Sequence, residues 1–409
     1  MKLFFHGAPF YIIVFFVMFN AFIVNAETLD FEQIKLKALN NNPGLSAGNS
    51  AIKAAEANIQ QAGTIPNPEL EISSEDFGDN EFEVVLTQPL EIGGKRKSRI
   101  QLAGKALRVA ELENDAARLG LEAKIIRRCV PILGLQKKIA VFDSLASVME
   151  ESLAGIKHRI SAGAAMEADV LRTEMELDEL FMEKADLNRQ LTRQKKKLTA
   201  LWGNIDDADI QLACTLNTSL SLPLQPEIQK KIHEHPEMKL LKLSREIAAA
   251  EIQQMKAEAF PELSISGGYL RNNEDHENAV IAGLSISLPL FNRNKGAILS
   301  KGHEMTAAET KFKAFFVERT TEAGTILSKI KNALEVLFVL TEKLQPKAKS
   351  VYAVLERYYK HGNISILEVF ESRRNLLEIN LRSIDLITEK ALLAADLMEL
   401  TGIQIQVIK

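Results

Sequence analysis

The chain has 409 residues, of which 46% are hydrophobic and 25% charged, and its formal net charge is −4. This balance lacks the basic surface that nucleic-acid binding requires, so nucleic acid is not an expected partner. The chain contains only 21 glycines and 12 prolines, which argues against disorder and favours a folded protein.

The N-terminus has the pattern of an export signal. An almost wholly apolar run extends from residue 9 to residue 24 after a basic second residue, and Val24-Asn25-Ala26 has the small-x-small form that signal peptidase cleaves. A run of about 16 residues is short for a membrane-spanning helix. Residues 1–26 are therefore predicted to be a cleaved signal peptide, and the mature chain is expected either to be soluble or to cross a membrane as strands.

Each half of the remaining chain contains two predicted strands. Polar and apolar residues alternate over about 69–74 and 81–88 in the first half, and over about 263–269 and 279–288 in the second. Alternation with period two indicates strands that have one apolar and one polar face. Prolines flank both strand pairs. Because proline fits neither a helix interior nor a central strand, these prolines mark the points where the chain changes between helix and strand.

A long helical hairpin is predicted after each strand pair, over about 95–202 and about 295–401. Both segments are rich in Ala, Leu, Glu, Lys and Arg, which favour helix. Gly163 and Gly362 are the predicted turns, where a left-handed backbone favours glycine. Helices of this length exceed the diameter of a globular domain and indicate coiled-coil rods.

Apolar positions in the second hairpin recur every 3.5 residues on average, which predicts a left-handed supercoil. The first helix is predicted to run unbroken from Lys295 to about His361. Its stripe is Ile326, Ile330, Ala333, Leu337, Leu340, Leu344, Val351, Leu355 and Tyr358. The stripe of the returning helix is Leu367, Phe370, Arg374, Leu377, Leu381 and Ile384.

Landmarks of the first half recur in the same order in the second, which indicates an internal duplication. The corresponding pairs are Pro43 and Pro236, Pro68 and Pro261, Pro89 and Pro289, Gly163 and Gly362, and Gly203 and Gly402. The predicted repeats are residues 27–215 and 216–409. Four strands cannot close a barrel, so the pattern leaves two possibilities: a barrel shared by several chains, or a small soluble sheet that caps a coiled coil.

Four short motifs carry a resemblance to a known family. They are Ala-Leu-Asn-Asn-Asn-Pro at 38–43, Ile-Pro-Asn-Pro-Glu-Leu at 65–70, Gln-Pro-Leu-Glu-Ile-Gly-Gly-Lys-Arg at 88–96 and Leu-Pro-Leu-Phe-Asn-Arg at 288–293. In this order they resemble the TolC-like outer-membrane efflux proteins, and the third motif is most similar to the heavy-metal, CzcC-like branch.

The resemblance implies a mainly α fold with a small β part, in which helical hairpins form an α-barrel and three chains share a twelve-stranded transmembrane β-barrel. It implies a homotrimer in outer-membrane lipid that works with a periplasmic adaptor and an inner-membrane transporter of the RND type. Such a channel is a passive exit duct. An enzymatic activity, a cofactor and a resident metal are not expected.

The resemblance also suggests functional residues. Glu368 and Glu371 share a helix face, and with Asp169 they are expected to line the pore constriction, although most such pairs are simply solvated. The internal repeat, rather than the resemblance, places Arg172 opposite Glu371. Arg172 is therefore a candidate latch that pairs with Asp169 or Glu371 in a closed state. The residues expected to contact the adaptor at the two tips are Arg159, Ser161, Gly163, Gly362 and Asn363.

Two other functions remain open at this stage. One is the same duct serving type I protein secretion or the efflux of organic compounds. The other is a soluble periplasmic coiled-coil adaptor, which would normally have a single hairpin flanked by β-rich domains. The sequence also leaves open whether Cys129 and Cys214 form a disulfide.

Overall fold

The structure, a computed structural model, describes residues 27–75, 81–161, 163, 166–204, 210–272 and 277–409. The predicted signal peptide lies outside these residues. Within these ranges, no helix combines the length and the apolar character needed to cross a membrane. The described chain is mainly helical with a small β part, as the sequence predicts.

The helices of the first half are α1 (Phe31–Asn41), α2 (Pro43–Ala62), α3 (Lys95–Ser161) and α4 (Glu167–Thr199). Those of the second half are α5 (Gln225–Glu234), α6 (Pro236–Glu258), α7 (Lys295–Phe338), α8 (Gln345–Lys360) and α9 (Ile366–Thr401). The strands are β1 (Glu27–Leu29), β2 (Glu69–Glu75), β3 (Glu81–Leu90), β4 (Ile210–Leu212), β5 (Glu262–Asn272) and β6 (Glu277–Ser287). With 67 residues, α3 is about 100 Å long.

A four-stranded antiparallel sheet joins the two halves of the chain. Its strand order is β2-β3-β5-β6, so β3 of the first half pairs with β5 of the second. Register places apolar residues from all four strands on one face, including Leu70, Leu86, Tyr269, Val280 and Leu284. These side chains are exposed in the single chain, whereas glutamates and serines predominate on the opposite face.

All four strands of this sheet extend past the predicted range at one end at least. Backbone pairing continues through the polar pairs of Arg271 with Asn278 and Asn272 with Glu277, where hydrophobic alternation has already ended. Pro89 lies within β3 rather than outside it. Its position is tolerated because β2 pairs with β3 only as far as Thr87, so β3 has a free edge there.

Short strands that the sequence analysis missed connect the first described residues to the segment between the two halves, and that segment to the C-terminal residues. β1 and β4 form a parallel pair, and Leu216 bridges Ile408 near the C-terminus. Segments of this length are too short for a period to be recognised. The predicted repeat boundary after residue 215 falls in this extended region, and it stays a prediction.

The duplicated Asn-Pro and His-Pro landmarks are helix caps that also bond to the far end of their own half. The Asn42 side chain accepts from the amide of Leu45 at 3.1 Å and donates to the Leu201 carbonyl at 2.7 Å. His235 accepts from the amide of Glu237 at 3.3 Å, and its Nε2 lies 3.0 Å from the Glu399 carbonyl. Burial lowers the pKa of His235, which favours the neutral ring that this geometry uses.

Two hydrophobic clusters hold the helices together. The larger one lies around the middle of α3 and the end of α9, with α5, α7 and the short strands packed against it. The smaller one lies towards the hairpin tips and includes Phe142, Met149, Leu177, Val369 and Phe370. Both cysteines belong to the larger cluster as free thiols, and burial raises their pKa values, that of Cys214 to about 11.

The predicted unbroken helix from Lys295 to about His361 contains a π-helical segment, Val339–Leu344, immediately before α8. The segment precedes Pro346, whose ring clashes with the carbonyl four residues earlier in an α-helix. A π turn adds one residue to the helix and so moves the buried face along by one position. Val351 and Tyr358 are therefore exposed, and Tyr352 and Tyr359 pack inward instead.

In the first turns of α9, the buried positions also differ from the predicted apolar stripe. Leu367 and Arg374 are exposed, whereas Ile366, Val369 and Arg373 are buried. Phe370 and Ile384 are buried as predicted. A regular 3.5 repeat does not hold here because α9 contacts both α3 and α8, which widens its buried face.

Replacing Asn42 with Ala is expected to lower the free energy of unfolding by about 2 kcal/mol, because a helix cap and a donor to the Leu201 carbonyl are both lost. The control is Asn41→Ala, since Asn41 is exposed and its side chain bonds to the Lys37 carbonyl within its own helix and to no other group of the described residues. Its expected change is below about 0.5 kcal/mol. Denaturant unfolding followed by circular dichroism measures both, and equal losses would contradict the role of the cap.

Lys390 is a buried cation on α9, next to Ala391 of the larger cluster. Its side chain is fully buried, and its Nζ donates to the carbonyls of Asn217 at 3.3 Å and of Thr218. Burial, with a smaller contribution from Lys137, lowers the pKa of Lys390 to about 8. The lysine thus connects α9 to the segment that links the two halves of the chain.

This shifted pKa predicts a pH dependence of stability. Between pH about 8 and about 10.4, the unfolded chain holds the Lys390 proton more tightly than the folded chain, so stability rises with pH. The slope from this group is at most about 1.4 kcal/mol per pH unit and vanishes below that window. Lys390→Met should lack this component. The difference between wild-type and variant unfolding free energies from pH 7 to 10.5 measures it, and a constant difference would refute the prediction.

Candidate functional site at the hairpin tips

The two hairpins turn at matching glycines. Gly163 follows the end of α3 with φ 71°, and Gly362 follows the end of α8 with φ 77°. Their amides donate to the carbonyls of Ile160 and Tyr359 respectively, both at 2.9 Å. A left-handed backbone strains any residue that has a Cβ, so each glycine is needed for its turn. Ser365 then caps α9 by accepting from the Leu367 amide at 3.3 Å.

Arg159 connects the two tips within one chain. Its Nη1 donates to the carbonyl of Tyr359 at 3.1 Å, and its guanidinium lies 4.9 Å from the centre of the Tyr359 ring. The end of α3 is therefore held against the end of α8 by a hydrogen bond and a cation–π contact. Arg159, predicted to contact an adaptor, is half-buried in this internal contact.

Tyr359 lies between charges of both signs. Burial raises its pKa, Arg159 opposes this shift, and Asp169 adds to it. The phenol oxygen is buried and has no hydrogen-bond partner among the described residues. Asp169 of the first hairpin is thus one of the charges that act on Tyr359 at the tip of the second hairpin.

The acidic pair lies in the first turns of α9. Glu368 and Glu371 are three residues apart, and both side chains are exposed. Neither forms an ion pair within the described part of the chain. Asp169 is half-buried in the first turn of α4, where its carbonyl accepts from the Thr173 hydroxyl at 2.7 Å. The three carboxylates are thus at corresponding ends of the two returning helices.

The structure does not form the predicted latch within one chain. Arg172 is exposed, and in the described residues it makes no ion pair with Asp169 or Glu371. The nearest formed bridge between the returning helices joins Arg374 to Glu179 at 3.6 Å. A latch that joins Arg172 to Asp169 or Glu371 in a closed state stays a prediction.

The remaining predicted tip residues are exposed. The Ser161 hydroxyl donates to the His158 carbonyl at 2.6 Å, and Asn363 continues the second turn with its amide bonded to the Tyr358 carbonyl at 3.0 Å. Across the described residues, no group of three or more His, Cys, Asp or Glu side chains is arranged to hold a metal ion.

Sequence reasoning missed Arg373 and the two aromatic rings that it contacts, which lie near the hairpin tips. Arg373 is buried on α9 between the rings of Tyr352 and Phe370. The adjacent Arg374 was placed in the apolar stripe instead. A buried arginine has no signature in hydrophobic periodicity, so the structure was needed to find it.

Comparison with known proteins decides the family. The model of the family described as outer membrane efflux protein matches residues 36–204 and 228–402, which is most of the chain. The chain belongs to this family. As an outer membrane efflux protein, it is a channel component, and its role is that of an exit duct in the outer membrane.

Individual relatives agree with this assignment. The chain is 24% identical over 359 residues to the cobalt-zinc-cadmium resistance protein CzcC of Cupriavidus metallidurans, covering 87% of this chain and 86% of CzcC. It is 22% identical over 317 residues to the nickel and cobalt resistance protein CnrC of the same organism, covering 75% of each. These similarities confirm the resemblance to the heavy-metal branch of the TolC-like proteins.

The fold of this efflux protein matches a solved channel. The structure of CusC, described as forming a transmembrane channel, superposes with a TM-score of 0.76 at 16% identity, covering 90% of this chain and 91% of CusC. The predicted TolC-like fold is thereby confirmed.

Arg159→Met is expected to loosen the contact between the tips of this efflux protein. The variant loses a charged hydrogen bond of about 1.5 kcal/mol, so amide hydrogen exchange over residues 358–363 should be about tenfold faster. The control is His158→Ala, an exposed neighbour whose exchange should match wild type. Unchanged exchange in Arg159→Met would mean that the tips are held by other contacts.

Proposed function

We propose that three copies of this chain form a homotrimeric duct that passes heavy-metal cations from the periplasm to the exterior. The single observation that carries the proposal is the exposed pair Glu368 and Glu371, located immediately behind the left-handed turn at Gly362 and without an ion pair in the described chain. In a trimer, three pairs place six carboxylates around one opening.

The sheet supports the trimer. Within one chain, β2 and β6 are the outer strands, and each has an unpaired side. The exposed apolar face suits lipid, where open strand edges cost several kcal/mol per unsatisfied group. Pairing β6 of one copy with β2 of the next removes these edges and makes a barrel of about twelve strands.

The cation preference follows from charge. A ring of carboxylates at a narrow opening concentrates cations and repels anions, and the field falls off within about 10 Å at 0.1 M salt. Asp169 adds a carboxylate from the first hairpin. Relatives named for resistance to cobalt, zinc, cadmium and nickel favour divalent metal cations as cargo.

The partners follow from the two ends of the duct. The exposed tip residues Ser161, Gly163, Gly362 and Asn363 form the surface offered to a periplasmic adaptor. A passive duct needs an energy source, which an inner-membrane transporter of the RND type would supply. Delivery to the outer membrane requires export, for which residues 1–26 serve as the cleaved signal peptide.

Replacing both Glu368 and Glu371 with Gln is expected to reduce cation selectivity, because shape is kept while six charges are removed. In planar bilayers at low salt, the permeability ratio of potassium to chloride should fall by about threefold or more. Because a local potential acts on the two ions in opposite directions, this corresponds to a change of about half a unit of thermal energy per elementary charge.

The matched control is Glu389→Gln. Glu389 is exposed on the same helix, about 27 Å beyond Glu371 at 1.5 Å per residue, so its loss should leave selectivity nearly unchanged. If Glu389→Gln lowers the permeability ratio as much as the double variant does, the selectivity depends on charges along the whole tunnel wall. No effect of the double variant would remove the basis for a metal-cation duct.

A further inference from the structure

A groove separates the two hairpins of a single chain on the membrane side of the tips. It lies between α3 on one wall and α8 and α9 on the other, with a cavity volume of about 370 Å³. That volume falls within the range of about 300–1,000 Å³ that small-molecule sites occupy. Val141, Leu145, Leu376 and Leu377 make its walls mostly apolar.

Arg373 supplies one positive charge to this groove. Its side chain is only 5% exposed, yet it lines the cavity. Its Nη2 donates to the Tyr352 hydroxyl at 3.2 Å, and the guanidinium lies 5.5 Å from the Tyr352 ring centre. Both Nε and Nη1 are buried without a hydrogen-bond partner in the part of the chain that the structure describes.

Such donors are unusual, because buried polar groups are nearly always paired and an unpaired charged one is costly. The neighbouring Arg374 differs in this respect, since it is exposed and bridges Glu179 at 3.6 Å. No carboxylate of the described residues lines the cavity. Nε and Nη1 of Arg373 therefore have no acceptor among the described residues, and the side chain lines a cavity of ligand size. The same side chain also lines a neighbouring cavity towards the tips with Glu151 and Glu356, but neither carboxylate forms an ion pair with it in the described chain.

We propose that this groove binds an aliphatic monocarboxylate, with the carboxylate on Arg373 and the chain along the leucines. One guanidinium among apolar walls matches one negative charge attached to an apolar tail. A phosphate group carries more charge than a single arginine neutralises, and it offers nothing to the apolar walls. A cationic amphiphile would place its charge against Arg373.

The position of the groove gives such a ligand a structural effect. A ligand in the groove would contact α3 of the first hairpin and α9 of the second. On α9, Arg373 lies two residues after Glu371 of the acidic pair. A ligand that binds only the folded, packed hairpins stabilises their contact by mass action. The bound form should therefore hold the tip region more rigidly than the empty one.

The test is calorimetric titration of the full chain in zwitterionic nanodiscs, which avoids detergent tails that would compete for the groove. Octanoate should bind at one site per chain and at least tenfold more tightly than 1-octanol, with empty nanodiscs subtracted. Arg373→Met should weaken octanoate at least tenfold and leave 1-octanol unchanged. Arg374→Met, which alters the exposed neighbour, should bind octanoate as wild type does.

A second variant keeps the test independent of Arg373. Ser144 is exposed on α3 and lines the cavity, so Ser144→Trp should fill the groove and block octanoate while the arginine remains. Three results would each overturn the proposal: no octanoate binding at millimolar concentration, equal affinity for 1-octanol, or equal losses in the Arg373 and Arg374 variants. Filling of the groove by a neighbouring copy would appear as the first of these.

Discussion

The burial of the end of α9 is the constraint on which the rest of the structure depends. Ala391, Ala394 and Ala395 are completely buried, and their small side chains allow the surrounding helices to approach closely. Neighbouring polar groups then fix the helix in place: Lys390 bonds to the linker, and Arg127 of α3 bonds to Asp396 at 2.8 Å and to Glu399. Because α9 continues without interruption to the tip, this anchor also determines where the acidic pair lies.

The predictable parts of this fold are those that a repeated local rule specifies. Alternation of polar and apolar residues located the four long strands, and tip glycines located the turns. The predicted face of α8 was wrong because a constant repeat was assumed across the π segment before Pro346. The predicted face at the start of α9 was wrong because that helix packs against both α3 and α8. Nothing in a hydrophobic pattern marks an extra residue in a turn, since each flanking segment still looks regular.

The candidate site also contains some residues that the sequence predicted and others that only the structure showed. The family resemblance suggested Glu368 and Glu371, and their exposure in the first turns of α9 is compatible with a pore. The contact of Arg159 with Tyr359 joins residues that are 200 positions apart, and no local rule places two separate tips side by side. Arg373 was missed for another reason: charged residues are normally exposed, so the pattern assigned the burial to its neighbours instead.

The π segment also divides the first helix of the second hairpin into two parts, α7 and α8, whose buried positions follow different registers. On its N-terminal side, α7 buries positions such as Ile326, Ile330 and Leu337. On its C-terminal side, towards the tip, the inward-facing side of α8 is offset by one residue from the face that the repeat of α7 predicts. The buried positions of α7 therefore do not predict those of α8, and each part is packed by its own set of side chains. The mouth can diversify to fit different partners while the rod keeps one common packing scheme.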